Sequence, residues 1–272
     1  MQPDGFADID TKTASAARMY DYMLGGTDNY AVDRIAVNRV EDLLPGTNAM
    51  VRNNRRFLER VVRYLAADCG IRQFIDNGSG LPTQDNVHDI ARSFGAGSRV
   101  VYVDNDPVVL RHQQVQALAG NADTAFILAD ALDVDTILGH QETRRLLDFA
   151  EPTAVLYFAF LHFIPDEDNP QQIIRRIIDR LAPGSYLALS HTVSDQSEIR
   201  QLGTELARDN TKGRFGRIRE TEEVRAFFDG LELVEPGLVD IRDWRPDGRD
   251  EKQTDRWFLA GGVGRKPSES AG

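Results

Sequence analysis

Apolar residues recur at helical spacing along the first 70 positions. Ala36, Val40, Leu43 and Leu44 fall at i, i+4, i+7 and i+8 before Pro45-Gly46 breaks the run. Phe57, Val61, Tyr64 and Leu65 repeat that spacing in a helix ending near Cys69-Gly70. Ahead of them, Ala16 to Tyr30 holds three tyrosines and the pair Gly25-Gly26, which ends a short helix or permits close backbone approach. No strand pattern interrupts this region. It is too short and too polar to fold alone, so residues 1–70 are expected to form a helical cap on a larger domain, with residues 1–13 polar and mobile.

From Ile71 the pattern alternates between strand and helix. Strands are expected at 72–76, 99–104, 125–129, 153–160 and 185–190. Several are apolar without alternation, as in strands buried on both faces of a parallel sheet. Helical patterns lie between them: Val87, Ile90, Ala91 and Phe94; a segment from Pro107; and Ile173, Ile174, Ile177, Ile178 and Leu181. Asp106-Pro107 and Asn169-Pro170 each place an N-cap side chain before a proline at the first helical position. Asp133 to Leu147 reads as an extra helix with loops, and a helix is expected around Val224, Phe227 and Phe228. Two closing strands follow near 231–241 and 256–263, the first interrupted at Val234-Glu235-Pro236-Gly237. Five strand–helix steps with two closing strands predict an α/β fold: a doubly wound, mostly parallel, seven-stranded Rossmann-like sheet over 71–264. A disordered tail is expected from 265 to 272.

In such sheets the ligand sits beyond the carboxyl ends of the strands, so the residues just after each strand carry the chemistry. The first strand runs into Asp76-Asn77-Gly78-Ser79-Gly80, the second into Asp104-Asn105-Asp106, the third into Asp130-Ala131 and the fourth into Leu161-His162-Phe163. Carboxylates at three successive strand ends repel one another unless a ligand uses them. One after the second strand is placed to accept both hydroxyls of a ribose, and one after the third can accept from an adenine amino group. A dinucleotide fingerprint needs a third glycine where this chain has Thr83.

Composition narrows the classes. Of 272 residues, 41% are hydrophobic and 28% charged, an ordinary globular balance. The formal charge of −11 argues against a nucleic-acid partner. There is no long uncharged apolar run and the start does not resemble a signal peptide, so no membrane association and a cytoplasmic location are expected. The single cysteine, Cys69, excludes a disulfide framework, and the five histidines show no metal-ligand spacing, so no metal is expected.

The pattern Asp-x-Gly-x-Gly at Asp76 resembles the first-strand motif of class I methyltransferases. The likeness is more specific in Arg18-Met19-Tyr20-Asp21-Tyr22-Met23-Leu24-Gly25-Gly26, Asn54-Arg55-Arg56-Phe57-Leu58, Gly80-Leu81-Pro82-Thr83, Val101-Tyr102-Val103-Asp104-Asn105-Asp106-Pro107 and Ala182-Pro183-Gly184. Together with Gly70-Ile71-Arg72-Gln73-Phe74-Ile75-Asp76, these are similar to the actinobacterial S-adenosyl methyltransferase family once catalogued as a domain of unknown function, from about Ser15 to Val263. One departure is Asn77-Gly78-Ser79-Gly80, where the family usually has Ile-Gly-Thr-Gly.

The resemblance implies S-adenosylmethionine as cofactor, S-adenosylhomocysteine as product and a small-molecule methyl acceptor. It implies cofactor binding by Asp76, Asn77, Gly78, Ser79 and Gly80, by Asp104 and Asn105, and by Asp130 and Ala131. Arg18, Tyr20, Tyr22, Gly25 and Gly26 read as a lid over the cofactor or as a docking helix. Arg18 and Arg55 compete for the cofactor carboxylate, and either can instead hold a structural ion pair. His162 is the candidate catalytic residue, against a packed core or turn histidine. Asp130 also fits a simple turn cap. Two rival functions stay open: a non-catalytic S-adenosylmethionine-binding regulator and an NAD(P)-dependent oxidoreductase. The acceptor and the oligomeric state, a homodimer included, stay open as well.

Overall fold

The computed structural model describes residues 10–82, 86–109, 122–211, 213 and 215–268. Three helices come first: α1 (Ala16–Met23), α2 (Ala31–Leu43) and α3 (Thr47–Ala67). The alternation then runs β1 (Gln73–Asn77), α4 (Val87–Phe94), β2 (Arg99–Asp104) and β3 (Thr124–Leu128). The helix expected from Pro107 begins there, and its continuation from residue 110 lies outside the described residues, as does Thr83. After β3 come α5 (Val134–Gly139), α6 (Gln141–Leu146), β4 (Ala154–Phe158), α7 (Pro170–Asp179) and β5 (Tyr186–Val193). The chain closes with α8 (Ser197–Asn210), α9 (Thr221–Arg225), β6 (Glu232–Leu233), β7 (Val239–Asp240) and β8 (Phe258–Arg265).

The strands form one sheet in the order β3-β2-β1-β4-β5-β8-β6, with β7 also paired to β8. Strands β1 to β5 are parallel, and β8 runs antiparallel to β5. Eight strands replace the expected seven because the penultimate strand is broken in two. Its halves, β6 and β7, flank Val234 to Leu238, where the Glu235-Pro236 peptide is cis and Gly237 has φ +94°; proline lacks the N–H that a continuous ladder needs.

Apolar runs without alternation bury both sheet faces. Ile75, Val101, Val103, Val155 and Leu187 face α5, α6, α7 and the turn at Phe227-Phe228. Phe74, Val100, Leu156 and Ala188 face α3, α4, Trp244 and Trp257. Helix α3 belongs to that second layer: Phe57, Val61 and Leu65 are fully buried, each contributing about 1.5–3 kcal/mol. Arg60, also on α3 and 1% exposed, donates to the carbonyls of Ile241 (2.6 Å) and Trp244 (3.0 Å) and pairs with Asp250. Helix α3 thus shares a core with the sheet.

Two elements differ from the sequence reading. Asp133 to Leu147 holds two short helices with a break at His140, whose Nδ1 accepts from Glu142 N. Helix α8 was not legible, because its buried positions include Gly203 and Thr204; a Cβ on Gly203 would come within 2.4 Å of Ile218 Cδ1. The first residues of the expected tail are ordered, and residues 269–272 lie outside the described residues. Arg265 is the last residue of β8, and Lys266 Nζ donates to the carbonyls of Ile178, Asp179 and Leu181 around the end of α7, where a cation complements the helix terminus.

Asn77 is fully buried at the end of β1, and neither its amide oxygen nor its amide nitrogen has a partner among the described residues. A buried unpaired amide costs about 1–3 kcal/mol. Asn77→Ile is therefore expected to raise stability by about 1–2 kcal/mol. Urea denaturation checks this; an unchanged or lowered midpoint would show that Asn77 is satisfied in solution.

Candidate functional site

The chain steps outward from β1 to β3 and then crosses back to β4, so a crevice opens at the carboxyl ends of β1 and β4. A cavity of about 1220 Å³ fills it, at or above the roughly 300–1,000 Å³ of small-molecule sites. Its floor is the turn Gly78-Ser79-Gly80. Gly78 N and Ser79 N both donate to Val103 O, folding the turn over the end of β2. Gly78 has φ +70°, and a Cβ there would lie 2.1 Å from the Phe160 ring, so only glycine allows Phe160 to close against the turn.

Three carboxylates face this floor, each in a different environment. Asp76 is 7% exposed and accepts no hydrogen bond among the described residues. Burial pushes its carboxyl up from 3.8 to about 7; the Arg55 guanidinium opposes that shift and Asp104 adds to it. Asp104 is anchored: Oδ2 accepts from Gly80 N and Oδ1 from Asp106 N, both at 2.9 Å. Burial raises its pKa too, while those backbone donors hold it down. Asp130 is exposed on the rim and accepts from Leu132 N at 2.9 Å, so it caps a turn and lines the cavity at once. Asn105 lines it as well, whereas Ala131 is buried behind it.

The N-terminal segment covers one side of the cavity, with Ala14 to Arg18 and Tyr20 in its lining. Arg18 is 4% exposed and committed to Asp33 at 2.8 Å. Asp33, fully buried, also accepts from Ser15 N and Tyr30 N. That pair fixes α1 on α2. Arg55 lines the cavity beside Asp76. Tyr22, Gly25 and Gly26 do not line it. Gly25, at φ +84°, ends α1, and a Cβ on Gly26 would strike the Asp21 carboxylate at 2.0 Å.

Tyr20 is held by a relay that local sequence does not announce. Ala159 N donates to Ser190 Oγ (2.9 Å), Ser190 Oγ to Asn54 Oδ1 (2.6 Å), and Asn54 Nδ2 to Tyr20 Oη (2.8 Å). Ala159 itself sits at φ +49°. Because every donor in the chain points toward Tyr20, its own O–H is directed away, toward Val51 O at 3.5 Å or into the cavity. Burial raises the Tyr20 pKa, so the phenol stays neutral and acts as a donor.

Beyond β4 the wall becomes aromatic: Phe158, Phe160, Phe163 and Phe215 line it with Ile164 and Pro165. His162 lies one layer behind. Its ring packs 4.8 Å from Phe163 and 5.3 Å from Phe215, and Nδ1 faces Thr192 N and Oγ1 at 3.4 Å. Burial pushes its pKa down to about 3, helped by Arg219, so the ring is neutral at physiological pH. Arg219, 2% exposed, clamps this loop. It donates to Leu161 O, Ile164 O and Asp166 Oδ1, and to His191 Nε2 at 2.8 Å. Ser190, Phe215 and Arg219 had no local signature, and Asn54 stood in a motif without a role, because each acts through residues far away in the chain.

No helix among the described residues is long and apolar enough to cross a membrane. Comparison with known proteins agrees with the geometry. Residues 4–267 match the model of the S-adenosyl methyltransferase family. The fold is similar to that of a candidate methyltransferase from Thermobifida fusca YX, at 38% identity and TM-score 0.89 over 95% of this chain and 97% of that one. It is also similar to a DUF574 family protein from Streptomyces avermitilis MA-4680, at 41% identity and TM-score 0.88 over 95% and 99%. At 14% identity and TM-score 0.52, over 92% of this chain and 100% of that one, the N-methyltransferase NodS of Bradyrhizobium japonicum WM9, solved with S-adenosylhomocysteine, shares the fold. No protein of curated function matches the chain. A glycine turn under anchored carboxylates, on a sheet of this order and within a family match spanning almost its whole length, shows that the chain belongs to the S-adenosyl methyltransferase family.

Proposed function

We propose that this chain transfers the methyl group of S-adenosylmethionine to a small-molecule acceptor held between the glycine turn and the aromatic wall. The observation that carries the reading is Asp76: a carboxylate more than nine-tenths buried, open to the cavity and without a hydrogen-bond partner among the described residues. Such a group is costly to the ligand-free fold and fits a cationic ligand. The family's cofactor, S-adenosylmethionine, brings an amino group and a methyl already activated on a sulfonium.

Asp76 would accept from the amino group. Asp104, already oriented by Gly80 N and Asp106 N, keeps lone pairs for the two ribose hydroxyls. Asn105 and Asp130 border the place left for the base. With the methyl activated, alignment and exclusion of water are what remains for the protein to supply. Phe160 closed on Gly78, and α1 over the opening, do both. The acceptor is small in this reading because the site is a cavity closed on one side by α1, while a macromolecular substrate needs an open groove.

Calorimetry with S-adenosylmethionine and S-adenosylhomocysteine tests the reading, and absence of heat with either ends it. Asp104→Ala is expected to weaken both ligands about 10- to 100-fold, the worth of a charge-assisted pair of hydrogen bonds, while the protein stays folded by circular dichroism. Unchanged affinity would assign the ribose elsewhere.

A further inference from the structure

The charge and the walls of the cavity restrict what can be methylated, an inference that rests on the methyltransferase reading. Among the described residues, seven aspartates and two arginines line the cavity, with no lysine, histidine, cysteine or glutamate. Arg18 is neutralised by Asp33. Arg55 lies beside Asp76, whose pKa it lowers. The charge that the described residues place inside therefore attracts cations and resists anions such as carboxylates and phosphates.

The half of the cavity away from the glycine turn is mostly apolar, with Phe163, Ile164, Pro165 and Phe215 in its lining. Phe163 and Phe215 meet edge to face at 5.2 Å. Asp168, exposed at the mouth, forms no ion pair and accepts no hydrogen bond among the described residues. Among the described residues no histidine, cysteine or lysine lines this wall: His162 is packed behind it, and its Nδ1 faces Thr192. An acceptor that needs deprotonation finds no such partner among them.

We propose that the methyl acceptor is a planar nitrogen heteroaromatic, bound with its ring against Phe163 and Phe215 and methylated on a ring nitrogen. Such a nitrogen carries its lone pair without losing a proton. The lone pair forms the new bond to the methyl carbon, the carbon–sulfur bonding pair stays on sulfur, and no proton moves. The positive charge passes from sulfur to the ring, so the product cation still faces the aspartates and the aromatic faces that attracted the methyl donor. A phenol would need a base and a carboxylic acid would enter as an anion.

The test uses the full-length chain saturated with S-adenosylhomocysteine at pH 8 and three matched probes: isoquinoline, 2-naphthol and 2-naphthoate. Calorimetry is expected to show isoquinoline binding at least about tenfold more tightly than 2-naphthoate. With labelled S-adenosylmethionine, the methyl group should appear on isoquinoline and not on 2-naphthol. Phe215→Ala should weaken isoquinoline by about tenfold, the value of one lost ring contact, with S-adenosylhomocysteine affinity kept within about twofold. Three results would overturn the inference: 2-naphthoate binding as well as isoquinoline, methylation of 2-naphthol alone, or binding of none of the three to the loaded protein. An equal loss of S-adenosylhomocysteine in Phe215→Ala would overturn it too, by giving the wall to the methyl donor. Failure of S-adenosylhomocysteine to bind the unmodified chain removes the methyltransferase reading itself and is seen before any probe is added.

Discussion

Asp76→Asn is expected to make the ligand-free protein more stable at pH 8 and to lose most of its affinity for S-adenosylmethionine. The two effects have one cause. Burial moves the ionisation of Asp76 from 3.8 to about 7, so at pH 8 the folded state holds a charge it disfavours by up to about 4 kcal/mol. Asparagine removes the charge but keeps a polar group in the same place, so a gain of about 2 kcal/mol is expected, or a melting temperature higher by about 5 °C. The lost charge-assisted contact weakens the ligand roughly 10- to 100-fold.

The pH dependence follows from the same carboxyl. Its folded-state pKa lies above the unfolded value, so its penalty is present above about pH 7 and is relieved as pH falls toward 3.8. Binding needs the carboxylate, so affinity falls about tenfold per pH unit below 7, and binding at pH 6 releases a proton. Calorimetry in buffers of different ionisation heat detects that proton, and Asp76→Asn should abolish it. Flat affinity from pH 5.5 to 8 would remove Asp76 from the site.

The histidines act in the opposite direction. His162, lowered to about 3, and His191, held well below its ordinary range by burial and by His162, are neutral in the fold and titrate at their ordinary 6.5 when unfolded. Their contribution is intact above pH 6.5 and is lost as pH falls below it. Two groups lost against one relieved leave a net decline from these three groups as pH falls below 6.5. In Asp76→Asn the relieving group is gone, so the acid decline should be steeper than in the parent chain.

Arg219→Met is expected to be the most destabilising single change near the site, by about 3–5 kcal/mol. Methionine fills much of the same space but cannot donate. The carbonyls of Leu161 and Ile164 and His191 Nε2 would each lose a partner in a buried place, and each such loss costs about 1–3 kcal/mol. The loop they belong to carries Phe163, Ile164 and Pro165 into the cavity, so the aromatic wall should loosen as well. Urea denaturation measures the stability. A histidine titration followed by NMR measures a second consequence: without the Arg219 charge, the His162 pKa should rise. A midpoint shift worth less than about 0.5 kcal/mol with unmoved histidines would make Arg219 a bystander.

The half of the cavity proposed for the methyl donor was readable from the chain because it is built from short contiguous segments. Strands β1, β2 and β3 lie within a residue of their expected positions, and Asp76, Asp104 and Asp130 follow from where each strand ends. The glycines are legible for the same reason: a turn that must reverse over the end of β2 needs positive φ at Gly78 and Gly80 within five residues of sequence.

The Ala16–Gly26 segment was legible as a motif but not as a set of roles. Only the fold separates Tyr20, held at the cavity by Asn54, from Gly25 and Gly26, which shape the end of α1, and from Arg18, which is spent on Asp33.

Periodicity and turn chemistry are local properties, so the sequence by itself determined the alternating α/β order, the glycine turn and the acidic strand ends, and with them the half of the cavity proposed for the methyl donor. Tertiary structure alone decided the other half. Phe163 meets Phe215, Ser190 reaches Asn54 across 136 residues, and Arg219 clamps a loop 53 to 58 residues away. Contacts of that range depend on which strands become neighbours when the chain crosses back from β3 to β4, and no local pattern encodes that pairing.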